Sequence, residues 1–210
     1  MIEIRNQKEL KNFLTNYLKF PKTLLIDFED ASDINTMIDE MLKILVNEMG
    51  LNGIYLSLRT PATYIIEILK KSGINPEKIL FIDAISNYFY SPAPGISLAK
   101  SEGATSIKKD ENIIFLSSPS NLAEIAIVFY EILASVKNPE KVFIVIDSLD
   151  IIALHSEKEK FLKFVHFVSS KLKIFRVLGF YFRLIREEED ILKNIIVFVD
   201  EIVKIKLSNK

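Results

Sequence analysis

Thr23-Leu24-Leu25-Ile26-Asp27-Phe28, followed by Ile34, Met37, Ile38, Met41, Leu42, Leu45 and Met49, is the stretch from which the fold can be read. A short apolar run bounded by polar residues reads as a buried strand, and apolar residues returning every three or four positions read as an amphipathic helix. Between them stands Glu29-Asp30-Ala31-Ser32-Asp33-Ile34-Asn35-Thr36. A strand-to-helix turn that holds a phosphate needs glycines, so that backbone N–H groups can converge, and a lysine to neutralise charge. No glycine and no basic residue occurs between Lys22 and Lys43.

The same alternation runs outward in both directions. Further strands are predicted over 54–58, 79–83, 113–116, 142–147, 177–182 and 202–207. Helices are predicted over 7–18, over 34–49 with Gly50 as cap, over 61–72 ending at Gly73, from Asn121, and over 157–174 and 187–199. Val142-Phe143-Ile144-Val145-Ile146 is apolar on both faces, as at the centre of a parallel sheet. The expected architecture is a three-layer α/β sandwich with a mostly parallel central sheet, in one domain over 1–210 with an N-terminal helical segment over 1–20. Lys204 and Lys206 alternate with apolar residues, so 202–207 is expected at a sheet edge. Residues 86–112, rich in Ser, Pro and Gly, are expected as a long loop.

Composition narrows the function. The 210 residues carry 27 basic and 28 acidic side chains, a net charge of -1, so no global field favours nucleic acid. The absence of cysteine excludes disulfides and thiol catalysis, and two histidines argue against a zinc site. The apolar runs are too short to span a bilayer and the polar start does not fit a signal peptide, so a cytoplasmic protein without membrane contact is expected. Abundant Lys, Glu and Ile suit a thermophile or an AT-rich genome.

In doubly wound sheets, ligands bind at the carboxyl ends of the strands. The polar residues there are Asp27, Ser57, Asp83, Ser117, Ser118, Asp147 and Ser148. Asp147, after five apolar residues, has the placement of an aspartate that holds magnesium through water beside nucleotide phosphates.

The chain resembles the RecA/KaiC-like ATPases, and most of all their KaiC-like branch, frequent in archaea. The resemblance rests on Gly53-Ile54-Tyr55-Leu56-Ser57-Leu58 with Thr60-Pro61, and on Ile79-Leu80-Phe81-Ile82-Asp83-Ala84. It continues through Phe115-Leu116-Ser117-Ser118-Pro119-Ser120-Asn121-Leu122 and Val142-Phe143-Ile144-Val145-Ile146-Asp147-Ser148-Leu149. It covers roughly residues 20–207 and implies the P-loop NTPase fold. It also implies a Walker A loop at 29–36, but there Glu29 and Ile34 take the glycine places, Asn35 the lysine place and Thr36 the hydroxyl place. The family's acidic pair, which activates the attacking water, falls on Arg59 and Thr60. Thr36 and Asp147 alone keep types able to coordinate magnesium, as vestiges of a nucleotide site.

A lost charged hydrogen bond costs about 1.5–3 kcal/mol. Each carboxylate near a triphosphate adds repulsion of about 1–4 kcal/mol. Together these imply binding weaker by about a thousandfold or more. Glu29, Asp30 and Asp33 also suit the positive end of a helix dipole, which explains them without a ligand.

The resemblance therefore implies a non-catalytic homologue, a pseudo-ATPase that takes no cofactor and serves as a regulatory or protein-interaction module. Its expected partner is a protein, such as an intact KaiC-like ATPase or a signalling protein, and its expected state a monomer or small homo-oligomer. Contacts are expected at 86–112, where Tyr88-Phe89-Tyr90 enters the loop, and at the 202–207 edge. One alternative is a weak ATP- or GTP-binding protein using Thr36, Asp147 and magnesium. Another is nucleic-acid binding through Arg183 and Arg186 with Lys171, Lys173 and Arg176. His155 and His166 have no partner in the sequence for a triad or a metal, and Glu187-Glu188-Glu189-Asp190 reads as an acidic helix start.

Overall fold

A computed structural model describes residues 1–18, 20–28, 34–90, 106–108, 112–183 and 194–206. In chain order the elements are β1 (Ile2–Ile4), α1 (Gln7–Asn12, continued by a π-helical turn Phe13–Tyr17), β2 (Thr23–Phe28) and α2 (Ile34–Lys43, continued by Ile44–Glu48). Then come β3 (Asn52–Ser57), α3 (Ala62–Lys71), β4 (Ile79–Asp83), α4 (Ser86–Tyr90), β5 (Ser106–Lys108) and β6 (Ile113–Phe115). The chain continues through α5 (Leu122–Ser135), β7 (Val142–Asp147), α6 (Leu149–His155), α7 (Lys158–Phe175), β8 (Leu178–Arg183) and β9 (Glu201–Ile205).

Among the described residues the strands form one nine-stranded sheet in the order β1-β9-β2-β8-β7-β3-β4-β6-β5. Eight of these strands are parallel and β5, at one edge, is antiparallel. Helices cover both faces, which is the expected three-layer α/β sandwich.

Strand alternation divides the core in two. Leu24, Ile26, Phe28, Tyr55, Phe81, Phe143, Val145, Phe180 and Phe182 pack with α1, α2 and α3 on one face. Leu25, Ile54, Leu56, Ile82, Ile144, Ile146 and Tyr181 pack with α5, α6 and α7 on the other. The central strands β2 and β7 are buried along their whole length, as their unbroken apolar runs require. Gly179 permits a close approach on the second face: a Cβ there would lie 2.4 Å from Leu172 Cδ1 on α7. Gly50 follows Met49 with φ 69°, the left-handed conformation expected of the residue that ends a helix.

Three expectations are corrected. Residues 202–207 do not form an edge, because β9 lies between β1 and β2, with Ile2, Glu3 and Ile4 opposite Val203, Lys204 and Ile205. Alternation with lysines reports one wet face of a strand, not a missing neighbour. The N-terminal segment is not wholly helical, since it opens with the edge strand β1. The 86–112 segment contains α4 and β5; residues 91–105 and 109–111 lie outside the described residues. Residues 187–193 of the predicted 187–199 helix also lie outside, and Ile196–Phe198 is a 3-10 turn. Among the described residues no helix is long and apolar enough to cross a membrane.

Candidate functional site

The carboxyl ends of the parallel strands gather the polar residues singled out in the sequence, and nearly all of them are satisfied by neighbouring side chains or backbone groups. Asp83, fully buried at the end of β4, accepts hydrogen bonds from the backbone N–H groups of Ala62 (2.8 Å), Ile85 (3.0 Å) and Ser86 (2.8 Å) and from the Ser86 hydroxyl (2.8 Å). It ties the starts of α3 and α4 to the sheet and is a cap. Ser57 donates to the Thr60 carbonyl. Ser117 donates through its N–H (3.0 Å) and its hydroxyl to Glu124, while Asn121 caps α5 by accepting from the Glu124 N–H at 3.3 Å. Ser118 and Ser120 share a hydrogen bond at 2.8 Å.

Asp27 lies directly opposite Arg183 in the β2–β8 register. Arg183 holds it from two nitrogens, Nε to Oδ1 and Nη2 to Oδ2, both at 3.0 Å. The two side chains are 7% and 11% exposed. Arg183 is therefore committed to the sheet rather than to a basic patch. Of the other basic candidates, Lys171 lies over the rings of Tyr130 and Phe167, Lys173 pairs with Asp200 at 3.0 Å, and Arg176 is the left-handed C-cap of α7. Arg186 and Glu187 to Asp190 lie outside the described residues.

Asp147 ends β7 on the face that packs against α2 and α3, and its side chain is 1% exposed. The peptide between Asp147 and Ser148 is cis. Parallel pairing sets Tyr55 opposite Val145 and Ser57 opposite Asp147, so the Tyr55 ring shares the Asp147 face. The Tyr55 hydroxyl donates to Asp147 Oδ2 at 2.6 Å. Burial, and then the neighbouring Asp147 charge, push the Tyr55 hydroxyl well above the usual tyrosine range. Arg59, two residues past β3, sends Nε to Asp147 Oδ1 at 3.3 Å and Nη2 to Oδ2 at 3.4 Å. The same Nη2 donates to Asn35 Oδ1 in the first turn of α2 at 3.2 Å.

The two residues expected to coordinate magnesium are thus in different situations. Thr36 is exposed in the first turn of α2, beside the Asn35 that touches Arg59. Asp147 already accepts from a hydroxyl and a guanidinium. Magnesium demands near-octahedral oxygen ligands at about 2.0–2.1 Å, so an ion reaching Asp147 must displace Arg59, and the residues as they stand do not fit it. Glu29 to Asp33, between β2 and α2 in the sequence, lie outside the described residues. Ser148, fully buried, has a hydroxyl with no hydrogen-bond partner among the described residues. His155 meets the edge of Tyr88 at 5.8 Å and His166 lies against Phe198 at 5.1 Å. No group of three His, Cys, Asp or Glu able to hold a metal occurs among the described residues.

The structure brings Asp147 and Asn35 together through Arg59, a contact that sequence reading misses. Sequence reading also misses Tyr55 as the hydroxyl donor and Arg183 as the partner of Asp27. The signal for Arg59 is a charged residue just past the end of a buried strand; Tyr55 carries none, since its role depends on register.

No family model matches this sequence, and a search of the curated proteins found no match. Solved structures do match. A KaiC-like protein of the hyperthermophilic archaeon Pyrococcus horikoshii aligns with TM-score 0.64 at 15% identity, over 92% of this chain and 76% of its own. An uncharacterised P. horikoshii protein, solved in complex with an unknown peptide, aligns with TM-score 0.64 at 16% identity, over 96% of this chain and 84% of its own. A third P. horikoshii structure gives 0.57 at 15%, over 92% and 86%. What this chain shares with these proteins is the fold, the RecA/KaiC-like three-layer α/β sandwich.

Proposed function

We infer that this protein is a non-catalytic member of the RecA/KaiC-like fold that works as a regulatory or protein-interaction module. One observation carries the reading: at the carboxyl edge of the sheet the aspartates are each held by partners within the chain. Asp27 is held by Arg183, Asp83 by three backbone N–H groups and a hydroxyl, and Asp147 by Tyr55 and Arg59. A site that activates water and neutralises phosphate needs an available carboxylate and cations aimed outward. Here the carboxylate is covered, and Arg59 stands where the KaiC-like pattern has an acid. The departures of Glu29, Ile34 and Asn35 from the Walker A pattern point the same way.

A polypeptide is the partner class to test first, because one neighbour of the same fold was solved with a peptide bound. Isothermal calorimetry with magnesium and ATP at millimolar concentration tests the reading. No saturable heat is expected, and measurable binding at Asp147 overturns it. Affinity capture by the full chain, repeated after deletion of 91–105, tests the interaction role; partners retained in full after the deletion remove that segment from it.

A further inference from the structure

The geometry points to Arg59 as a tethered cation that holds the position a divalent metal ion would otherwise take beside Asp147. The inference rests on the reading of this site as one without nucleotide chemistry. A carboxylate that is 1% exposed needs a compensating positive charge, and the ion pair formed by Asp147 is with Arg59. The guanidinium sits loosely for such a pair, at 3.3 and 3.4 Å, where charge-assisted contacts are ordinarily about 2.7–2.9 Å. It is loose because it serves two layers at once, reaching Asn35 on α2 as well as Asp147 on β7.

Around it converge both carboxylate oxygens of Asp147 and the Asn35 side-chain oxygen, while the Tyr55 hydroxyl donates to Oδ2. Carboxylate and amide oxygens are donors that hard divalent cations take. The Arg59 side chain is 29% exposed, so the position it fills opens to water. Removing the guanidinium while keeping the oxygens leaves a negative, oxygen-lined position with an entry path. The cation is thus built into the chain, and it excludes the metal by occupying its place.

The test is titration of the full chain with manganese(II) chloride, without nucleotide, followed by electron paramagnetic resonance of the free ion and by thermal unfolding. The wild-type chain is expected to show no saturable site. Arg59→Ala is expected to bind manganese at least about tenfold more tightly than wild type, with a matching rise in its unfolding midpoint. Arg59→Ala combined with Asp147→Asn is expected to lose that gain. A folded Arg59→Ala that binds no better than wild type overturns the inference, as does a gain that survives Asp147→Asn. If Arg59→Ala does not fold alone, Arg59→Gln gives the same readout, and refolding of Arg59→Ala must then depend on added manganese. Failure of both overturns the inference. A negative result here leaves the pseudo-ATPase reading standing, whereas ATP binding by the wild-type chain defeats that reading whatever the variant does.

Discussion

Two aspartates at the carboxyl edge of the sheet each meet an arginine, and the two pairs are built differently. Asp27 and Arg183 face each other in the register of adjacent parallel strands, so the strands themselves bring the partners together. The result is a two-point contact at 3.0 Å between side chains that are both nearly buried. Asp147 instead draws its arginine from beyond the end of β3, shares it with Asn35 in another layer, and gains a tyrosine hydroxyl from below. A pair supplied by register is tight and local. One that spans layers is looser, and it makes the start of α2 depend on the end of β7.

This contrast is broken most directly by removing each arginine. Arg183→Leu leaves Asp27 charged and buried and is expected to cost about 3–5 kcal/mol in urea unfolding. Arg59→Leu is expected to cost at least about 1 kcal/mol less, because water reaches the partly exposed position and Tyr55 still donates to Asp147. Equal losses at the two sites would erase the distinction.

The next effect compares the two faces of the sheet through their buried tyrosines. Tyr181, on the second face, shares a hydrogen bond with Ser169 at 2.8 Å, and burial raises its hydroxyl as burial and Asp147 raise that of Tyr55. Below about pH 10 both hydroxyls are protonated whether the chain is folded or not. Above it the unfolded chain ionises while the folded chain keeps its protons, so stability falls as pH rises. The slope approaches about 1.4 kcal/mol per pH unit for each tyrosine. Unfolding measured between pH 8 and about pH 11 should flatten in Tyr55→Phe and in Tyr181→Phe. A slope unchanged in Tyr55→Phe would mean that the Tyr55 hydroxyl is not buried beside Asp147 as described.

The smallest effect lies on the outer side of α2. Asp39, half-buried and 3.4 Å from the Ser72 hydroxyl, has its carboxyl raised by burial, which outweighs that contact. A raised carboxyl disfavours the charged form in the folded chain, so it costs stability at neutral pH and ceases to do so as pH falls through its range. Asp39→Asn should therefore stabilise the chain at pH 7 by at most about 0.5 kcal/mol after solvent screening. That gain should vanish below about pH 4.

The order of strands and helices was legible because each carries its own period. The runs at 23–28 and 142–147 are buried on both faces, and the helix from Ile34 buries Met37, Ile38, Met41 and Leu42 as its spacing requires. Some short elements were not legible: β1 has three residues, β5 three and α4 five, too few for a period to show, whereas the three-residue β6 was marked by its apolar run. The place of β9 was misread for a related reason, since a wet face and an open edge leave the same alternation in a sequence.

The candidate site divides in the same way. The sequence alone determined which residue types stand at the strand ends, that the segment after the first long strand lacks glycine and lysine, and that an arginine follows the strand ending at Ser57, because these are identities at positions set by local period. Only the tertiary structure decided that Arg183 belongs to Asp27, that Tyr55 and Arg59 belong to Asp147, and that Asp83 is a cap. Those pairings depend on which strands are neighbours and in what register, and register is settled by packing between segments far apart in the chain.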